Sequence, residues 1–374
     1  MNLLVKNFIL FVTLIAILIG CKEEKSEYQL LRDIYKKPTH LWPKPDIDST
    51  VEHRELAIIP DAKYPNGKQP SRGLIELGKQ LFFDHRLSQS KQLACASCHH
   101  PDQNFTDNRQ VSMGNLLQQG KRNAPTLLNL SHNTSFFWDG RAASLEEQVL
   151  GPLQNPIEMN TSLDTVVARV NNIKGYRKAF KKELSKDKID INDIAYVIAS
   201  FERSLVSNKS KFDFFLHGDK ELTESELKGL HLFRTKGRCM NCHNGPHFTD
   251  HKFHNIGLSY YGRYYEDLGR YNVTKKKEDV GAFRTPSLRD VMRTRPWMHN
   301  GLFDDMDGIL NMYSNGMPQP KRKEHQLNDS LFPSTSRLIV KTNFTEEDKK
   351  NIIAFLHTIS APSVWILKPE LPKE

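Results

Sequence analysis

Two short stretches decide the fold: Cys95-Ala96-Ser97-Cys98-His99 and Cys239-Met240-Asn241-Cys242-His243. Each follows an apolar stripe at helical spacing. The first is Leu77-Gly78-Lys79-Gln80-Leu81-Phe82, and the second is Leu227-Lys228-Gly229-Leu230-His231-Leu232-Phe233. The leading cysteines, Cys95 and Cys239, stand 144 residues apart, about one domain length. The chain therefore reads as two similar domains, divided near the polar stretch Val206 to Leu222. Two thiols at this spacing can add across the two vinyl groups of one haem, and the adjacent histidine then reaches the iron. C-x-x-C-H reads as c-type haem attachment for that reason, so two covalent haems c are expected. A zinc site built from two C-x-x-C pairs leaves the common offset of His99 and His243 without a purpose. Thioredoxin-like pairs would need a βαβ context, which the sequence lacks.

Outward from these motifs, helical spacing recurs at Leu145 to Leu153, Leu163 to Val170, Ile191 to Leu205, Glu224 to Phe233 and Thr345 to Ile359, while strand alternation is almost absent. The expected class is mainly α. At the amino end, one lysine precedes an apolar run from Phe8 to Ile19, closed by Leu18-Ile19-Gly20-Cys21. Residues 1–20 read as a signal peptide, and the run is short for a spanning helix. Leu-Ile-Gly-Cys resembles a bacterial lipobox with Cys21 as the lipidated residue, and a plain membrane anchor is the alternative. Either reading puts the folded part outside the cytoplasm and tethered to a membrane, on the periplasmic or cell-surface side. Residues 21–70 are polar and proline-rich and read as a tether followed by an irregular arm. The two domains then span 71–206 and 207–374.

The 374-residue chain has 53 Lys+Arg against 44 Asp+Glu, a formal charge of +9. Its basic residues are scattered without aromatic interleaving, which argues against nucleic acid as a partner. Five cysteines are too few for a disulfide scaffold, and exported vicinal thiols oxidise unless occupied.

The stretches Arg122 to Asn129, Phe136-Phe137-Trp138-Asp139-Gly140-Arg141 and Pro152 to Met159 closely resemble the bacterial di-haem cytochrome c peroxidases, whose superfamily includes MauG. So do Phe283 to Arg289 and Pro296-Trp297-Met298-His299-Asn300-Gly301. The resemblance covers roughly residues 70 to 360. It implies two cytochrome-c-like helical domains, each with one haem c, and the C-terminal helix packed on the body. Homodimers are common in such a family.

The resemblance further implies that the N-terminal haem is peroxidatic, with His99 as its proximal ligand. Where many members carry a distal histidine, this sequence has Asn115, a poor ligand that leaves the iron open; His100 and His132 are the nearby substitutes. Glu158 matches the family's acid/base, Gln148 the residue that orients the distal pocket, and Trp138 the indole between the haems. Asn123, with the carbonyls of Thr294 and Pro296, matches an inter-haem Ca²⁺ site, and oxygen ligands suit that hard cation. On the second haem His243 is proximal. The position of the usual distal methionine falls on Tyr313, with Met312 and Met317 as competitors; a tyrosinate there would lower the potential.

The reaction implied is reduction of H2O2 to water with electrons from a small cytochrome c or copper protein, entering through the C-terminal haem. The alternative is a MauG-type oxidation of a partner protein. Against it, MauG's surface tryptophan position is Gly237 here. A pure electron-transfer cytochrome would have no use for Glu158.

Overall fold

The computed structural model describes residues 25–373. The expected signal segment 1–20 and Cys21 lie outside the described residues. Residues 25–42 belong to a compact unit of their own. It holds α1 (Glu27–Tyr35), started by a reciprocal capping box between Ser26 and Gln29. Tyr35 and Trp42 meet edge to face at 4.9 Å, and the Trp42 indole donates to the Lys37 carbonyl. A helix in this segment departs from the irregular tether expected. The cap at Ser26 is strong enough to start a helix whose apolar residues are too few to announce it.

The second unit begins at Pro43 and is helical with little strand, as expected. Its first half contains α2 (Arg72–Phe82), α3 (Leu145–Gln154), α4 (Leu163–Asn172), α5 (Lys174–Leu184) and α6 (Ile191–Arg203). Its second half contains α7 (Lys211–His217), α8 (Glu224–Arg234), α9 (Tyr271–Thr274), α10 (Met306–Ser314) and α11 (Glu346–Thr358). β1 (Phe253–His254) and β2 (Phe283–Arg284) form one short antiparallel pair. Helix α5 was not legible from its spacing, because lysines crowd the segment and only Tyr176 and Phe180 are buried.

The sequence repeat returns as a packing repeat. In α2, Gly78 lies so close to α6 that an added Cβ would come within 2.1 Å of the Val197 carbonyl oxygen. In α8, the matching Gly229 approaches α11 equally closely, with the Asn351 carbonyl 1.9 Å from such a Cβ. One turn later Phe82 meets Phe201 at 5.2 Å, and Phe233 meets Phe355 at 5.3 Å. Two cores result. One is built on Leu77, Leu81, Phe82, Phe180 and Phe201, the other on Phe212, Phe233, Phe248 and Phe355. Each buried aromatic of this size contributes on the order of 2–3 kcal/mol.

Segments outside the helices tie the halves together. The arm before α2 lies on the second half. Asp46 N–H donates to the Arg234 carbonyl, Asp48 N–H to Asn241 Oδ1, Arg289 to the Ala57 carbonyl and Ile59 N–H to Asp213. The tail after α11 runs the other way. Val364 and Ile366 pack on the first core, Gln80 donates to the Glu370 carbonyl, and Arg86 donates to the Pro372 carbonyl. No helix among the described residues is long and apolar enough to cross a membrane.

Candidate haem sites

Both C-x-x-C-H motifs adopt the same local structure. A single 3-10 turn covers Cys95–Ser97 in one and Cys239–Asn241 in the other, and the histidine N–H bonds back to the first cysteine carbonyl in each. The imidazole is then fixed by its far nitrogen. His99 Nδ1 donates to the Phe105 carbonyl at 2.9 Å, and His243 Nδ1 to the Phe248 carbonyl at 3.0 Å. That bond sets the tautomer and leaves Nε2 with a free lone pair, the arrangement of a metal-binding histidine. Burial lowers the proton affinity of both rings, which keeps them neutral. None of the four motif cysteines is tied up in a disulfide, so all four are available for attachment. Burial pushes the Cys98 thiol up to about 11 and the Cys239 thiol up to about 12. The donor set fits two c-type haems.

A cavity of about 260 Å³ opens between the halves of this unit. His243, Cys239, Cys242 and Tyr313 line it, with Trp138, His299, Asn123, Thr294 and Pro296. The structure thus brings Tyr313, on α10, to the same cavity as His243, while Met312 and Met317 are not among its lining residues. Burial raises the Tyr313 phenol well above its ordinary range, so its anion needs a neighbouring positive charge. Asn123 Nδ2 is spent on the Arg109 and Gln110 carbonyls.

Trp138 is held by both halves. Its indole N–H donates to the Asn123 carbonyl at 2.9 Å, and its own carbonyl accepts from Arg284 N–H on β2. Next to it, Asp139 accepts from Arg122, whose guanidinium also forms a two-point pair with Asp267.

After α3, Asn155 caps a turn in which its side-chain amide donates to Glu158 Oε1 at 2.7 Å. Burial raises the Glu158 carboxyl, opposed by that bond and by the Arg141 charge. Burial also pushes the Cys95 thiol up, with Glu202 and Glu158 adding to the effect, so both carboxylates act on the first motif. Gln148 Oε1 is buried and no protein group donates to it. Asn115 is a clasp. Its N–H reaches the Ile157 and Glu158 carbonyls, and its side-chain amide donates to the Pro156 carbonyl. Gly114 allows this approach, since a Cβ there would stand 2.0 Å from the Ile157 oxygen. His132, considered above as a substitute ligand, donates instead to the Asp61 carbonyl and packs on His247 at 4.6 Å.

Sequence reading passed over three features of these sites. His299 is 3% exposed, and its Nε2 has no partner; burial pushes it down to about 4. The Arg122–Asp139–Asp267 network joins residues up to 145 apart in sequence. Glu202 is a buried acid that helical spacing treats as an ordinary position.

Residues 72–221 match the family model for di-haem cytochrome c peroxidases. The chain is 36% identical over 301 residues to cytochrome c551 peroxidase of Nitrosomonas europaea, covering 80% of this chain and 83% of that protein. It is likewise 36% identical to the methylamine utilization protein MauG of Methylorubrum extorquens, covering 80% and 81%. Among solved structures, a MauG-like protein associated with microbial copper homeostasis superposes with a TM-score of 0.71 at 31% identity, over 80% of this chain and 93% of that one. The chain belongs to the di-haem cytochrome c peroxidase family. It is a peroxidase-type oxidoreductase of two c-type haems.

Proposed function

We propose that this protein reduces H2O2 to two waters, using two protons and two electrons from a small cytochrome c or copper protein. Haems held by Cys95, Cys98 and His99 and by Cys239, Cys242 and His243 would supply the chemistry, the C-terminal one taking up electrons and the N-terminal one the iron at which peroxide is reduced. Glu158 takes a proton from one peroxide oxygen and returns it to the other, a task that suits a desolvated carboxyl with a raised proton affinity. Gln148 orients the substrate pocket, and its unpartnered oxygen is free to accept from a bound molecule. Trp138 relays electrons between the two sites. Asn123, with the carbonyls of Thr294 and Pro296, holds Ca²⁺ beside it, with waters completing the shell. Cys21 anchors the exported protein to a bacterial membrane.

The observation that carries this reading is the half-buried Glu158 carboxyl, held by Asn155 in a turn that Asn115 clasps. Glu158→Gln keeps that shape and removes the exchangeable proton. Expected is full retention of both haem spectra with peroxide turnover lowered by about 10² or more. Unchanged turnover would remove Glu158 from the acid/base role.

A second reading, oxidation of a partner protein, draws support from Tyr313 on the His243 cavity and from Asn115 at the distal position. Turnover of peroxide without any small donor, accompanied by loss of aromatic side chains in a partner, would favour it.

A further inference from the structure

One ionisable group at the first haem site has no part in the reaction just described. Glu202, on α6, is 3% exposed, and its Oε2 is buried without a hydrogen-bond partner. Its chain neighbour Arg203 offsets it only in part, since both terminal guanidinium nitrogens of Arg203 are spent on Glu146 at 2.7 Å each. Across from α6, the packed face of α2 is apolar, with Gly78 against Val197 and Phe201. The charges acting on Glu202 are Arg203 on its own helix and Glu146 on α3. The first motif is close by, since Cys95 packs on the core to which α6 contributes Ile198 and Phe201, and Glu202 acts on Cys95 more strongly than Glu158 does. A carboxyl left unpaired in such a place is costly as an anion. Burial pushes it up to about 8, so it holds a proton at neutral pH.

We propose that Glu202 is the redox-linked proton holder of the N-terminal haem: it carries a proton while that site is reduced and releases it when the site is oxidised. This rests on the reading of Cys95, Cys98 and His99 as a haem site. The step balances as one electron leaving to peroxide, the oxidant of the proposed reaction, the Glu202 O–H bond breaking, and the proton passing to water. The carboxylate left behind offsets the positive charge gained by the site. The low-dielectric surroundings make that compensation strong, and by linkage the same coupling makes the site's potential depend on pH. An ionised Glu202 favours the oxidised form, so the potential falls as pH rises through its titration.

The test is an absorbance-monitored redox titration of the haem-loaded protein between about pH 6 and pH 9, with the C-terminal haem as internal reference. In the wild type the N-terminal haem's potential should fall across this range. In Glu202→Gln it should be flat and close to the wild-type value at low pH, while the C-terminal haem is unaffected. The same slope in variant and wild type, or no slope in the wild type, overturns the proposal while leaving the peroxidase reading intact. Only one haem per chain would sink the haem assignment and this proposal with it. Should the variant fail to fold, infrared difference spectra of the wild type decide the matter. A protonated-carboxyl band that appears on reduction supports Glu202, and a spectrum without one refutes it.

Discussion

Trp138 and His299 face each other edge to face, with ring centroids 6.5 Å apart, and they hold matching places in the two halves. Each is the third residue of a five-residue turn, Phe136–Gly140 and Trp297–Gly301. Each turn has a left-handed second residue (Phe137 φ +64°, Met298 φ +68°) and ends in a left-handed glycine (Gly140 φ +67°, Gly301 φ +60°). Each is closed by an isolated bridge six residues wide, Phe136 to Ala142 and Trp297 to Phe303. The repeat that began in the cysteine motifs therefore reaches the contact between the halves. There it presents an oxidisable indole from one side and a neutral imidazole from the other.

Replacing Trp138 by Phe keeps the ring's bulk but removes the donor to the Asn123 carbonyl. If the indole relays electrons, both haem spectra persist and electron exchange between the haems slows by about tenfold or more, read by stopped-flow absorbance. Exchange at the wild-type rate would reduce Trp138 to a packing residue.

Tyr313→Phe tests the second haem alone. The buried phenol gives up its proton only beside a strong positive charge, so its loss should alter the ferric spectrum of that haem and leave the first unchanged. An unaltered spectrum passes the ligand role to Met312 or Met317.

Asn115 makes a prediction about the resting state. Because its side chain is engaged with the Pro156 carbonyl, the fully ferric protein should show a prompt Soret change with stoichiometric H2O2. A response that appears only after one-electron reduction would mean a blocked iron, with His100 the nearest remaining candidate in sequence.

Acid stability should depend on Asp84, which is fully buried. Burial opposes its ionisation, but the Arg86 guanidinium and the Tyr176 hydroxyl, bonded to it at 2.7–3.1 Å, hold its carboxyl below the ordinary range. With the folded value below the unfolded one of about 3.9, its contribution is complete above that pH. It disappears as pH falls through the folded value. Asp84→Asn should cost about 3 kcal/mol at neutral pH, with a shallower decline of stability below about pH 4, measured by urea unfolding.

The haem motifs were legible because covalent attachment demands a fixed local spacing, and the helices with broad apolar stripes were legible for a similar reason. The expected helix from Thr345 to Ile359 forms α11 within a residue at each end. Other features depend on pairings that no local spacing encodes. Arg122 reaches Asp267, Asn129 bonds Ser207, and Ser207 in turn bonds Asp290. Glu202 sits at a helix position whose chemistry is set entirely by what surrounds it. The resemblance supplied the residue types expected near each haem. It did not supply the clasp of Asn115 on the Glu158 turn, which depends on Gly114 having no side chain.

The crossing of the tail has a consequence for how the protein comes into being. Val364 and Ile366 belong to the first core, and the backbone at Glu370 and Pro372 binds Gln80 and Arg86. A nascent chain leaves the ribosome amino end first, so its first core must wait for residues 286 to 290 positions further along the chain. Until then, the surfaces those residues cover stay open. A chain built this way completes its first half only after its second half has been made.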